Sequence, residues 1–136
     1  MRFMIIVKAT KDSEAGTMPS EKLIATMATF HEELAKAGVL VDASGLQPSS
    51  KGWRINYSGE DRFLIEGPFT ETNELVAGYT IINVKSRDEA KEWSKRFPNP
   101  AIDGGKGEIE VRQFFELEDF GPSEAVERFR GLNDGR

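Results

Sequence analysis

The chain contains no cysteine and a single histidine, His31. A disulfide framework, a thiolate zinc site and a thiol nucleophile are therefore excluded, and one histidine cannot supply a two-histidine metal centre within one chain. No metal or other cofactor is expected, since no carboxylate motif for magnesium or calcium is present. Long hydrophobic runs are missing too. The N-terminal apolar stretch, Phe3 to Val7, is shorter than the ~7–15 residues of a signal-peptide core, and nothing approaches the ~20 apolar residues of a membrane span. The expectation is a cytoplasmic protein that neither is secreted nor enters a membrane. Positive charge is also in deficit: 18 basic residues stand against 23 acidic ones and are scattered among them, for a net charge of −5. Phosphate backbones demand a basic face, so nucleic acid is not an expected partner.

What remains is an ordinary globular composition, 38% hydrophobic and 30% charged over 136 residues. That length suits one domain with its own core. Phe3 to Val7 is apolar on both faces and predicts a buried strand. Lys11 to Pro19 reads as a polar loop. Leu23, Met27, Phe30, Leu34 and Ala37 recur at helical spacing and predict a helix over Ser20 to Ala37, stopped at Gly38. Val39 to Leu46 predicts a second strand. Trp53 to Tyr57 and Arg62 to Glu66 alternate around a Ser58–Asp61 turn and predict a hairpin. Val76 to Val84 predicts a long strand with apolar residues on both faces. Ser86 to Phe97 predicts a helix opened by a Ser86/Glu89 capping box and stopped by Pro98. Gly107 to Phe115 predicts the last strand, and Ser123 to Arg130 a short tail helix.

The order β-α-β, hairpin, β-α-β predicts an α+β, ferredoxin-like antiparallel sheet with two helices on one face. Residues 1–116 form the expected domain and 117–136 a C-terminal tail. Two helices cover one face only, while the first and long strands are apolar on both. A second copy of the chain is the simplest cover, so a homodimer packed sheet to sheet is expected.

Several side chains are candidates for chemistry. His31 lies beside the apolar stripe, and an imidazole there suits a general base. Asp42, four residues beyond Gly38, is placed to orient it if the second strand runs back beside the helix. The alternative for His31 is a boundary residue bonded to backbone or water. Glu66 precedes the rigid Gly67-Pro68 turn and can meet a ligand, with Glu71 and Glu74 close behind; alternatively the turn is structural and Phe69 plugs the core. Trp53 and Tyr79 are candidate walls of a small pocket. Asp103-Gly104-Gly105-Lys106-Gly107 lacks the Walker ending and precedes a strand, which argues for a turn.

The runs Glu66-Gly67-Pro68-Phe69-Thr70-Glu71-Thr72-Asn73-Glu74, Ala35-Lys36-Ala37-Gly38-Val39-Leu40 and Ser44-Gly45-Leu46-Gln47-Pro48 carry a resemblance, as do Gly78-Tyr79, Glu89-Ala90 with Trp93, and Gly107 to Arg112. Together with the tail Phe115 to Pro122, these segments resemble the DGPF branch of the YCII-related family. The signature's aspartate is Glu66 here. The histidine of shorter members falls at Met27, with His31 one turn later. The resemblance implies a ferredoxin-like fold and a dimeric α/β barrel-like assembly. It also implies chemistry of a His-Asp pair on hydroxylated aromatics in shorter members, and association with alternative sigma factors in the DGPF branch. Two functions follow as expectations. One is a small-molecule-binding protein or enzyme, with a pocket between sheet and helix near the dimer seam. The other is a non-enzymatic regulatory module that partners a sigma factor.

Overall fold

The computed structural model describes residues 1–134. Among the described residues six strands and four α-helices follow one another. They are β1 (Arg2–Lys8), α1 (Lys11–Glu14), α2 (Glu21–Lys36), β2 (Leu40–Gly45), β3 (Trp53–Ser58), β4 (Asp61–Glu66), β5 (Val76–Asn83), α3 (Arg87–Lys95), β6 (Ile109–Gln113) and α4 (Glu124–Asp134). The stretch expected to be loop from Lys11 thus opens with a short helical turn. Thr10 and Ser13 close it reciprocally, each side chain taking the other's backbone N–H. A single turn is too short to show helical periodicity.

The longer helices form where their end signals stand. Ser20 accepts the Leu23 N–H at the start of α2, and Gly38, at φ +75°, reverses the chain after its end. Ser86 accepts the Glu89 N–H at the start of α3. The expected reciprocal half of that cap is displaced by one residue, because the Glu89 carboxylate takes the Lys85 N–H instead.

Four strands pair antiparallel in the order β2-β5-β1-β6. β5 lies between β1 and β2, and β1 lies between β5 and β6, so each β-α-β unit is split by a strand of the other. That interleaving is the ferredoxin-like topology. The hairpin β3-β4 is a separate two-stranded sheet inserted between β2 and β5.

Phe3, Ile5, Ile82 and Val84 pack on one sheet face against Phe30 and Leu34 of α2 and Ala90 of α3. Phe30 is the hub of this layer, meeting the rings of Trp93 and Phe97 edge-on. The opposite face carries Met4 and Ile6 of β1 and Tyr79 and Ile81 of β5, all half-buried. Among the described residues the helices contribute Phe30, Leu34 and Ala90 to the layer on the other side, and the face of Met4, Ile6, Tyr79 and Ile81 is termed the open face.

Candidate functional site

Strand alternation decides which side chains meet on each face. Thr80 of β5 pairs with Ile5 and Ala43 and points into the layer below α2. It is only 2% exposed, the buried polar side chain of the core. His31 of α2 meets it there: Nε2 lies 2.8 Å from Thr80 Oγ1, and Nδ1 lies 2.7 Å from the Met27 carbonyl oxygen. A carbonyl only accepts, so Nδ1 carries a proton; when the ring is neutral, Nε2 accepts from the Thr80 hydroxyl. Thr80 is the partner that sequence reasoning missed, because the two residues lie 49 positions apart.

Asp42 is absent from this pair. The expected His31–Asp42 contact requires Asp42 to share a face with Leu40, two residues earlier. A bulge at Val41 breaks that alternation. Leu40 pairs with Ile82 on the helix side, whereas Asp42 pairs with Ile81 on the open face. One extra residue has re-aimed the carboxylate to the other side of the sheet. There its Oδ2 accepts the Tyr79 hydroxyl at 3.0 Å, and its Oδ1 accepts the Ala43 N–H at 2.8 Å. The structure thus separates His31 and Asp42, expected to pair, and joins Asp42 by a hydrogen bond to Tyr79, expected as a wall of the same pocket.

The strand register arranges the open face as two rows. Asp42, Ile81, Met4 and Arg112 stand side by side across β2, β5, β1 and β6, and Ser44, Tyr79, Ile6 and Glu110 form the next row. An apolar centre is flanked by a hydroxyl and a carboxylate at one edge and by charged groups at the other. Glu110 holds both Arg112, at 3.2 Å, and Lys8, at 3.5 Å. The hydrogen bond from Arg112, followed by the charge of Lys8, keeps its carboxyl below the ordinary glutamate range. Among the described residues, no cation lies within ion-pair distance of Asp42.

The expected pocket between sheet and helix is filled by the packed core. Glu66 and Trp53 face each other across the hairpin, and both are exposed, Trp53 to 61%. They join neither His31 nor Asp42 through any hydrogen bond among the described residues. The Glu66-Gly67-Pro68-Phe69 turn is held from beneath. Glu14 accepts both the backbone N–H and the hydroxyl of Ser49, and Ser49 Oγ accepts the Phe69 N–H at 2.9 Å. Arg54 lies 3.8 Å from the centroid of the Phe69 ring and reaches Glu71 at 3.8 Å. Phe69 is half-buried beneath this guanidinium rather than part of the main core. No group of three acidic or histidine side chains among the described residues is arranged to hold a metal ion, and no helix there is long and apolar enough to cross a membrane.

The topology and the open face define a ferredoxin-like α+β protein with a carboxylate–phenol pair on its sheet. The chain belongs to the YCII-related family, whose domain model matches residues 1–118. An uncharacterized protein of Rhizobium meliloti (strain 1021) is 25% identical over 89 residues, covering 65% of this chain and 72% of that one. A solved structure, the 5-chloro-2-hydroxyhydroquinone dehydrochlorinase of Burkholderia phenoliruptrix in complex with 2,5-dihydroxybenzoquinone, aligns with a TM-score of 0.46. It is 14% identical in sequence, over 85% of this chain and 95% of that chain.

Proposed function

We propose that this chain is a small-molecule-binding protein or enzyme of the DGPF branch, active as a homodimer, with its site on the open sheet face around Asp42 and Tyr79. The observation that carries the reading is the 3.0 Å hydrogen bond from the Tyr79 hydroxyl to Asp42 Oδ2, beside the apolar side chains of Met4, Ile6 and Ile81. A carboxylate next to a phenol is an acceptor next to a donor. The Tyr79 hydroxyl has a single proton, so on meeting a ligand it exchanges its bond to Asp42 for one to a ligand oxygen, and the freed Asp42 Oδ2 takes a proton from a ligand hydroxyl. A flat apolar floor with two polar groups at its margin suits a planar, hydroxylated ring. Covering by a second copy would exclude water and strengthen both hydrogen bonds. In this reading His31 is a core residue that satisfies Thr80, and the acid–base role expected of it passes to Asp42.

The test is calorimetric binding of a panel of small hydroxylated aromatics to the wild-type protein, Tyr79→Phe and Asp42→Asn. Loss of one hydrogen bond to a ligand costs about 0.5–1.5 kcal/mol, up to roughly tenfold in affinity, and more where Asp42 is the ionised partner. A panel in which no compound binds, or in which both variants bind as tightly as wild type, would sink the reading.

The hairpin favours a second reading. Trp53, Ile55, Tyr57 and Leu64 line one of its faces, and all four are exposed, Tyr57 to 66%. An isolated two-stranded hairpin is marginal in water, and an exposed apolar face of this kind marks a contact surface. A regulatory module that docks a sigma factor through β3-β4 would use it. Binding of a host alternative sigma factor that disappears in Tyr57→Ser/Leu64→Ser supports this reading; binding that survives those changes removes the hairpin from it.

A further inference from the structure

The open face carries opposite charges at its two ends of a single row. Asp42 stands at the β2 edge and Arg112 at the β6 edge, with Ile81 and Met4 between them. Asp42 meets no cation of its own chain among the described residues. At the other edge, Lys8 and Arg112 share the single carboxylate of Glu110, which leaves that edge with one positive charge in excess.

We propose that a second copy of this chain completes the site by laying its own open face over the first, so that the partner's Arg112 pairs with Asp42 beside Tyr79. The inference rests on the reading above, in which the open face is both site and seam. Stacked sheets lie about 10 Å apart with their strands within about 30° of one another. A long arginine and a short aspartate together bridge such a gap. A two-fold axis running along the strands exchanges the two edges of the sheet while keeping each row over itself. It therefore sets Asp42 opposite the partner's Arg112, Ser44 opposite the partner's Glu110, and the apolar centres over each other.

An axis running across the strands would instead place each edge over its own copy. Asp42 would then be covered beside another acidic edge with no cation. Arg112 would meet a Glu110 that already holds two. Burying an unpaired carboxylate is costly, whereas pairing it across the seam both offsets its desolvation and fixes the relative orientation of the copies. One chain alone is then an incomplete site, with a carboxylate and a phenol but no cation for a ligand's developing negative charge.

The test is charge exchange on the full-length protein, with the dimer dissociation constant measured by light scattering across a dilution series. Both positions are surface residues in a single chain, and far-UV circular dichroism confirms that each variant is folded. Asp42→Arg alone and Arg112→Asp alone are each expected to weaken the dimer at least about tenfold, and the double exchange to restore most of that loss. Singles that dimerise like wild type, or a double exchange no tighter than the singles, overturn the pairing while leaving a dimer in place. A wild-type protein that is monomeric at micromolar concentration overturns both the pairing and the homodimer on which it rests.

Discussion

His31 Nε2 and Thr80 Oγ1 stand 2.8 Å apart in the layer between α2 and the sheet, and the opposite nitrogen of the ring is tied to the Met27 carbonyl. Each group satisfies the other where water does not reach Thr80. His31→Ala is therefore expected to destabilise the fold by about 1–3 kcal/mol, the cost of leaving a buried hydroxyl without its partner, with lost packing in addition. Thr80→Val made in the His31→Ala background is expected to cost much less than Thr80→Val made alone. Urea denaturation of the four proteins of this cycle measures the coupling; additive losses would mean that the pair does not act as a unit.

Gly67 admits no side chain. A Cβ there would lie 1.9 Å from the Ser49 carbonyl oxygen, and the two backbones are held in place, Ser49 N–H by Glu14 and Gly67 N–H by the Gly52 carbonyl. Gly67→Ala is expected to destabilise by about 1–3 kcal/mol through forced displacement. Ser49→Ala, which removes only the hydroxyl, should leave the fold intact while the Phe69 amide exchanges its hydrogen faster. An unchanged exchange rate at Phe69 would show that the Ser49 hydroxyl does not hold this turn in solution.

Glu110 sets an acid limit at the β6 edge. Its folded pKa is depressed by Arg112 and then by Lys8, so the carboxylate form is favoured in the folded chain. A depressed folded pKa gives a contribution that is fully present above the ordinary glutamate value and is lost as pH falls through the lowered one. The carboxyl resonance of Glu110, followed by NMR, should titrate below that of a free glutamate. Arg112→Ala and Lys8→Met should each move it upward; a variant that leaves it unmoved would remove that residue as a cause.

The two tryptophans report on different surfaces. Trp93 packs against Phe30 and lies under the Arg96 guanidinium, while Trp53 stands on the hairpin. Trp93→Phe should leave a red-shifted emission quenched readily by acrylamide, and Trp53→Phe a protected, blue-shifted one. A protected Trp53 emission that reddens on dilution would reveal that β3-β4 is covered in an assembly.

Local signals foretold most of the elements because their causes are local. Ser20, Gly38 and Ser86 end or begin helices through their own backbone geometry and hydrogen bonds, and the alternation of β3 and β4 is a property of each strand alone. The ferredoxin-like class was legible from the two β-α-β units, whereas the order of the strands in the sheet is set by pairings between distant segments. The candidate site was legible only as a set of residues. The sequence singles out both Asp42 and Tyr79 but assigns Asp42 to His31, whereas the fold bonds it to Tyr79. Which face Asp42 takes is set by the bulge at Val41, where β2 meets β5, and nothing in the strand's own letters displays it. Thr80 looked like one more strand residue until the fold brought it to His31. Likewise Glu14 and Ser49 lie 35 positions apart, and nothing local to either segment displays their contact under the Glu66 turn.

The sequence by itself therefore determined the order of the strands and the longer helices, the starts of α2 and α3, the apolar faces and the excess of negative charge, all of which depend on spacing and composition within a few residues. The tertiary structure decided the pairings. It tied His31 to Thr80, turned Asp42 toward Tyr79, and set Asp42 and Arg112 at opposite ends of one row. Those choices rest on register between strands far apart in the chain. A shift of a single residue in that register exchanges every side chain between the two faces of the sheet.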